Sequence, residues 1–241
     1  MAGTILIVKV GGTLPALAGA QGDFEDWIRR GLGPAGVRAG VVDVRRGEDL
    51  PAPGGLDGVV VSGSHASVTD REGWSEVTAG WLAGVVALGV PVLGICYGHQ
   101  LLAHALGGRV ADNPNGLEFG TVAVHLAEEA GEDALLGGVP NPLPAQVCHR
   151  QSVLRLPPGA VRLATSALDG CQAFRVADSA WGVQFHPEFN GAAVRAYVDE
   201  YREELAAGGQ DPDAIRRGVA ETPQAAGLLR RFAQITTANP P

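Results

Sequence analysis

Several things are scarce in this sequence of 241 residues. There are only three cysteines, Cys96, Cys148 and Cys171, and no Cys-x-x-Cys pair. That excludes a disulfide framework and argues against a zinc site, so no metal is expected. No apolar run reaches the roughly 18–20 residues that a membrane span needs. The opening MAGTILIVKVGG has no basic n-region and reads as a first strand rather than a signal peptide. Charged residues make up only 18%, and the net charge is −8. An acidic surface repels phosphate backbones, so nucleic acid is not an expected partner, and nor is a membrane. Gly11-Gly12 is not part of a Gly-x-Gly-x-x-Gly run, so it reads as a strand-end turn, and no cofactor is expected. With no internal repeat and no low-complexity linker, the expectation is one domain over residues 1–241 in a reducing, cytoplasmic setting.

What is present is apolar and periodic. Apolar residues reach 46%, enough for a sizeable core. TILIVKV (Thr4–Val10), VRAGVVDV (Val37–Val44), LDGVVVSG (Leu56–Gly63) and VPVLGI (Val90–Ile95) read as strands. Between them, helices are expected over Asp23–Leu32, with Asp23 as N-cap, and over Glu72–Leu88, capped by Thr69-Asp70. A further helix over Cys96–Leu106 stops at Gly107-Gly108. Strands apolar along their whole length are buried on both faces. The expected fold is therefore α/β, with a mostly parallel, flavodoxin-like sheet flanked by helices. Beyond Gly108 short strand patterns crowd together (FGTVAVHL, AQVCH, SVLRLP, AVRLATS, CQAFRV, AWGVQF), which predicts a small antiparallel section. Helices follow from about residue 191: Gly191–Ala207, Asp211–Ala220 and Thr222–Thr236, before a frayed TTANPP end.

Two stretches carry chemistry. In GICYG (Gly94–Gly98) a strand turns sharply into a helix, with glycines two before and two after Cys96. This is the geometry of a nucleophile elbow with cysteine in place of serine. A helix start favours a thiolate, and the amide of Tyr97 follows where an oxyanion would form. Gln100 lies one turn on, near the same face. The elbow alone reads equally as a buried structural cysteine at a tight turn. In GVQFHPEF, His186 ends a strand and Glu188 lies two residues on, facing the same way. Such a carboxylate can orient the imidazole as Asp does in a serine triad. The pairing proposes Cys96 as nucleophile, His186 as base and Glu188 as its orienter.

GICYGHQLLAHALGG and GVQFHPEF together resemble the triad-type, class I glutamine amidotransferases, in particular free-standing GMP-synthase-like members. VVVSGSHASVTD (Val59–Asp70) is similar to their oxyanion loop, and VCHRQSV (Val147–Val153) to the His-x-x-x-Val segment that contacts substrate. The resemblance implies hydrolysis of the glutamine side-chain amide through a γ-glutamyl thioester. Backbone N–H groups of Tyr97 and of Gly63-Ser64 would hold the oxyanion. Gln100, His149, Arg150, Gln151 and Ser152 would hold glutamine or another γ-glutamyl substrate. It also implies ammonia transfer to an acceptor on a separate synthetase subunit, since about 50 residues follow Glu188 without a phosphate loop. Ser64-His65 stands where the family pattern often has Gly-Pro. Two rival readings stay open: a stand-alone γ-glutamyl hydrolase or peptidase, and a catalytically silent binding protein on the same fold. The remaining candidates read as structural: His99 and His104 as packing or hydrogen-bonding groups, His125 and Cys171 as core, Cys148 as a small buried hydrophobe, and Trp74 and Trp81 as packing. His65 reads equally as a pocket residue and as an exposed loop residue.

Overall fold

A computed structural model describes residues 3–33 and 37–238. The chain starts with β1 (Gly3–Lys9), α1 (Pro15–Gln21) and α2 (Phe24–Leu32), then runs through β2 (Val37–Asp43), β3 (Gly58–Val61), α3 (Gly73–Ala87) and β4 (Val92–Ile95) to α4 (Tyr97–Ala105). Seven strands follow: β5 (Arg109–Asp112), β6 (Glu118–Leu126), β7 (Leu143–His149), β8 (Gln151–Arg155), β9 (Val161–Thr165), β10 (Ala173–Val176) and β11 (Ala180–Val183). Four helices end the chain: α5 (Gly191–Glu200), α6 (Arg202–Ala207), α7 (Pro212–Gly218) and α8 (Pro223–Ala238).

One nine-stranded sheet, ordered β2-β1-β3-β4-β11-β10-β9-β6-β7, carries the fold, and β5 and β8 form a separate antiparallel pair. The strands from β2 to β11 pair in parallel. From β11 to β7 every pairing is antiparallel. Side-chain alternation sorts the apolar strands into two cores. Ile5, Ile7, Val60, Leu93, Ile95 and Val183 face one side with Ile28 of α2 and Leu228, Leu229 and Phe232 of α8. Leu6, Val8, Val59, Val61 and Val92 face the other with Leu82 and Val85 of α3 and Leu101 of α4.

The parallel sheet brings the carboxyl ends of β3, β4 and β11 to one edge, where ligands bind in open α/β sheets. Val59, Val60 and Val61 are in register with Val92, Leu93 and Gly94, and Gly182 and Val183 with Gly94 and Ile95. Ser62-Gly63, Cys96 and Gln184–His186 therefore leave the sheet side by side. That register unites Cys96 and His186 across 90 residues of sequence.

Local expectations differ from the structure at a few points. Asp23 does cap α2, in a capping box with Asp26. Thr69-Asp70 does not cap α3: it lies in a single 3-10 turn, Val68–Asp70, because Arg71 takes a left-handed conformation (φ 50°) that stops the helix from continuing. The helix starts at Gly73 with Glu72 as an N-cap that makes no side-chain bond. Between Gly11 and Gly22, where no element is expected, Pro15 starts the short helix α1. His125 is exposed rather than core, because β6 has one solvated face and Val124 beside it takes the inner position. Helix α8 runs to Ala238, and the rest of the expected frayed end, residues 239–241, lies outside the described residues. No helix among the described residues is long and apolar enough to cross a membrane.

Candidate active site

The elbow has the strain its sequence implies. Cys96 sits at φ 51°, ψ −101°, a conformation that costs a non-glycine residue about 1–3 kcal/mol. Both flanking glycines are sterically required. A Cβ on Gly94 would collide with the carbonyl of Gly98, and one on Gly98 would lie 2.5 Å from the carbonyl oxygen of Val61. The helix therefore packs directly on β3 and β4, and Cys96 is lifted to the floor of a cavity of about 150 Å³. Its sulfur lies 3.8 Å from the carbonyl oxygen of Cys148. Among the described residues no acceptor pairs with the backbone N–H of Tyr97 or of Ser64.

His186 lines the same cavity. Its Nδ1 is 2.7 Å from Oε1 of Glu188, whose side chain is fully buried. The imidazole stacks on Phe189 at 4.0 Å and 20°, and Phe24 lies beyond at 6.4 Å. Gly63 packs against the ring edge: a Cβ there would lie 3.1 Å from Cε1. Burial works against a charged imidazole, but Glu188 and then Cys96 outweigh it and lift the His186 pKa to about 10. The ring thus holds its proton at neutral pH, facing the sulfur on one side and a carboxylate on the other. Such a ring can deliver its proton to a leaving nitrogen and, once neutral, take one from an attacking water.

The remaining wall comes from the bend at Arg150, where the chain passes from β7 in the large sheet to β8 in the small one. Gln100 of α4 donates through Nε2 to the carbonyl oxygen of Gln151 (2.8 Å) and to Oε1 of Gln184 (3.0 Å). His149 is buried, with Nδ1 3.0 Å from the same Gln151 carbonyl and Nε2 3.0 Å from Oε2 of Glu118. Glu118 also accepts from Ser166 and Gln172. Gln100, His149, Arg150 and Gln151 all line the cavity. Ser152 does not: its hydroxyl turns back to Oδ2 of Asp169 at 2.7 Å. The Gln151 side chain also points away, to Thr69 and Asp112, so Gln151 orders the wall through its carbonyl. Arg150 reaches the rim and pairs with Glu204 of α6.

Other sequence candidates separate cleanly. His65 does line the cavity, and its outer face is exposed. Cys148 lines it too, and burial, followed by the nearby Cys96, pushes its thiol well above the usual range. His99 is fully buried against Phe174 at 5.0 Å, and burial, then the His149 charge, lowers its pKa to about 3. His104 pairs with Glu76 outside the site. Cys171 is core, and Trp74 and Trp81 pack beside the α3–α4 core. Gly11 has a role the sequence did not disclose: a Cβ there would lie 2.6 Å from Cα of Ser64, so the glycine lets β1 support the loop after β3. Sequence reasoning also missed Phe119, Glu118, Tyr197, Tyr201 and Glu204, which carry no motif of their own. Among the described residues no group of three or more His, Cys, Asp or Glu could hold a metal ion.

Known proteins resemble this chain in sequence and in fold. The family glutamine amidotransferase class-I matches residues 19–198. A GMP synthase (glutamine-hydrolyzing) of Aeropyrum pernix is 37% identical over 171 residues, which are 69% of this chain and 31% of that protein. The chain thus spans about a third of the GMP synthase it matches. Gamma-glutamyl peptidase 4 of Arabidopsis thaliana is 32% identical over 171 residues, 70% of this chain and 65% of the relative. A glutamine amidotransferase from Thermotoga maritima shares the fold, with a TM-score of 0.77, 23% identity, and 99% and 100% of the two chains covered. An elbow cysteine beside a buried His–Glu pair, on a sheet with these relatives, leads to one conclusion: the chain belongs to the class I glutamine amidotransferase family.

Proposed function

We propose that the chain hydrolyses the side-chain amide of glutamine through Cys96, His186 and Glu188. The sulfur of Cys96 attacks the amide carbon, and the carbonyl electrons move onto oxygen. The N–H groups of Tyr97 and of the Gly63-Ser64 loop hold that oxyanion. His186 carries the thiol proton to the amide nitrogen, the C–N bond breaks, and ammonia leaves a γ-glutamyl thioester. Water then attacks the thioester, giving its proton to His186. The C–S bond breaks, glutamate departs, and the proton returns to sulfur. Glu188 fixes the ring orientation and favours its charged form. Gln100, His149 and the carbonyl of Gln151 shape the wall against which the glutamyl part lies.

The observation that carries this reading is the strained Cys96 sharing a cavity with a histidine whose Nδ1 is held 2.7 Å from a buried glutamate. A silent binding protein would gain nothing from keeping that strain. The likeness to GMP synthases supports a separate synthetase as recipient of the ammonia. One observation favours a second reading, a γ-glutamyl hydrolase with a larger leaving group: Tyr201 and Glu204 of the helical tail wall the cavity mouth.

The test is an assay of the purified chain on free glutamine and on a panel of γ-glutamyl amides and dipeptides. Glutamine as the preferred substrate supports ammonia donation. Fast cleavage of a γ-glutamyl peptide with glutamine a poor substrate selects the second reading. No turnover of either, with Cys96 untouched by a glutamine-mimicking chloro ketone, overturns both.

A further inference from the structure

The loop after β3 is tied to the C-terminal helices by a ring-to-ring clasp. His65 follows directly on Ser64. Its Nδ1 is 2.9 Å from the hydroxyl of Tyr201, and its Nε2 is 3.2 Å from the hydroxyl of Tyr197. The three rings are nearly parallel, with interplanar angles of 16°, 12° and 7°. Tyr197 is itself anchored. Its hydroxyl is 3.0 Å from Oγ1 of Thr13, and the N–H of Thr13 donates to Asp23 at 2.6 Å. Its ring also stacks on Phe189 at 5.2 Å, and Phe189 is the ring that supports His186. Tyr201 packs on Phe119 of β6 at 5.2 Å. Base and loop thus lean on one aromatic ladder. Tyr201 lies beyond the stretch that matches the family, which ends at residue 198.

Resting on the proposed amide hydrolysis, we infer that His65, Tyr197 and Tyr201 are positioning residues that hold the Ser64 loop for the oxyanion in cis, so that the chain's own tail arms the site without a partner. The loop needs an external hold. Among the described residues its internal side-chain ties span no more than two residues: the Ser62 hydroxyl donates to the Gly63 carbonyl at 3.1 Å, and the Ser64 hydroxyl accepts the Ala66 N–H at 3.1 Å. One neutral imidazole suits two tyrosine hydroxyls, donating through one nitrogen and accepting through the other. An oxyanion donor works only when preorganised at the place where charge develops. Losing the clasp therefore weakens the transition state and leaves ground-state binding alone.

The experiment uses the full-length chain and the variants His65→Ala, His65→Gln and Tyr201→Phe. Three quantities are measured on each: kcat and KM on glutamine or the best γ-glutamyl substrate, affinity for the glutamate γ-semialdehyde, and the rate of Cys96 alkylation by iodoacetamide. The aldehyde forms a hemithioacetal whose oxygen occupies the oxyanion position, whereas alkylation is a direct displacement at carbon that does not use it. A complete loss of one donor costs about 10²–10³-fold in kcat. A donor left in place but unclasped is expected to lose about tenfold in His65→Ala, with KM within about twofold and aldehyde affinity falling in step. Alkylation is expected to stay at the wild-type rate. Tyr201→Phe keeps the ring and loses one hydrogen bond, so it should fall between, and His65→Gln should recover part of the loss. Wild-type kcat and aldehyde affinity in both His65→Ala and Tyr201→Phe would overturn the inference. So would alkylation that slows as much as kcat, since the whole site would then have loosened. An inactive wild type would instead count against the enzymatic reading, and aldehyde affinity would still report on the clasp.

Discussion

The two halves of the site are held in place by different means. Cys96 and His186 stand on adjacent ends of parallel strands, fixed by ladder register and by backbone-to-backbone contact at Gly94 and Gly98. The opposite wall, with His149, Arg150 and Gln151, stands on a turn between β7 and β8, and side chains hold it: Glu118, Gln100 and Glu204 each reach in from a different element. Geometry set by backbone tolerates no adjustment, and a side chain too many breaks it. Geometry set by hydrogen-bonded side chains can be loosened one bond at a time. In the proposed reaction the reacting groups rest on the first kind of support and the substrate wall on the second, so mutations in the two regions should separate kcat from KM.

The largest break is expected at the sulfur. Cys96→Ala or Cys96→Ser should lower kcat by about 10⁴-fold or more, as loss of the nucleophile does in other covalent hydrolases. A chloro ketone mimic of glutamine should label Cys96 and neither Cys148 nor Cys171. Label on one of those with Cys96 free would move the chemistry elsewhere.

Glu188→Gln should come next. Loss of the orienting carboxylate costs up to about 10⁴-fold in a serine triad. Thiols are better nucleophiles, so a loss of about 10- to 10³-fold is expected, with KM little changed. The same variant has a signature in stability. Glu188 is the largest cause that raises His186, to about 10. A folded-state pKa above the unfolded one adds stability that is complete below the ordinary value of about 6.5 and disappears as the pH rises through about 10. Denaturant titrations should therefore show the gap between wild type and Glu188→Gln at its widest near pH 6 and narrowing by pH 10. A gap that widens with pH would contradict the ion pair.

Gly98→Ala tests the backbone support. The added methyl would lie 2.5 Å from the Val61 carbonyl oxygen. Overpacking of that kind costs about 1–3 kcal/mol, which in a chain of this size lowers Tm by roughly 2–12 °C. Turnover should fall with it, because the elbow must shift. A variant with unchanged Tm would show that α4 is not pinned there.

The smallest effect is expected from the side-chain-held wall. Glu118→Gln keeps the size of the residue and weakens its hold on His149. KM for the best substrate should rise several-fold, with kcat within about twofold. A fall in kcat with KM unchanged would place His149 with the reacting groups.

This contrast also sets what the sequence discloses. The parallel strands are apolar along their length, and the elbow needs glycines at fixed offsets, so the sheet, Cys96 and the His186–Glu188 pair are all visible in the chain. The supporting wall is not. Glu118 begins a strand that looks like any edge of an antiparallel section, and the His149 bond to it depends on register between β6 and β7. Ser152 sits inside the resembling segment yet turns to Asp169, because alternation along β8 points it inward. Tyr197 lies on α5 and Tyr201 at its junction with α6, and neither carries a motif in the sequence. Only the fold brings them to His65. Gly11 looks like a strand-end turn, and its need to be glycine comes from Ser64, more than fifty residues away in sequence.

The central claim is covalent catalysis by Cys96, and the most direct measurement is intact-protein mass spectrometry after mixing with the best γ-glutamyl substrate and quenching rapidly in acid. The account predicts a transient adduct with the mass of one γ-glutamyl group. It should map to the peptide carrying Cys96, decay as glutamate appears, be cleaved by hydroxylamine as thioesters are, and be absent from Cys96→Ser under the same conditions. Turnover by the wild type with no adduct on Cys96 at any time, or with an adduct on Cys148, would contradict it.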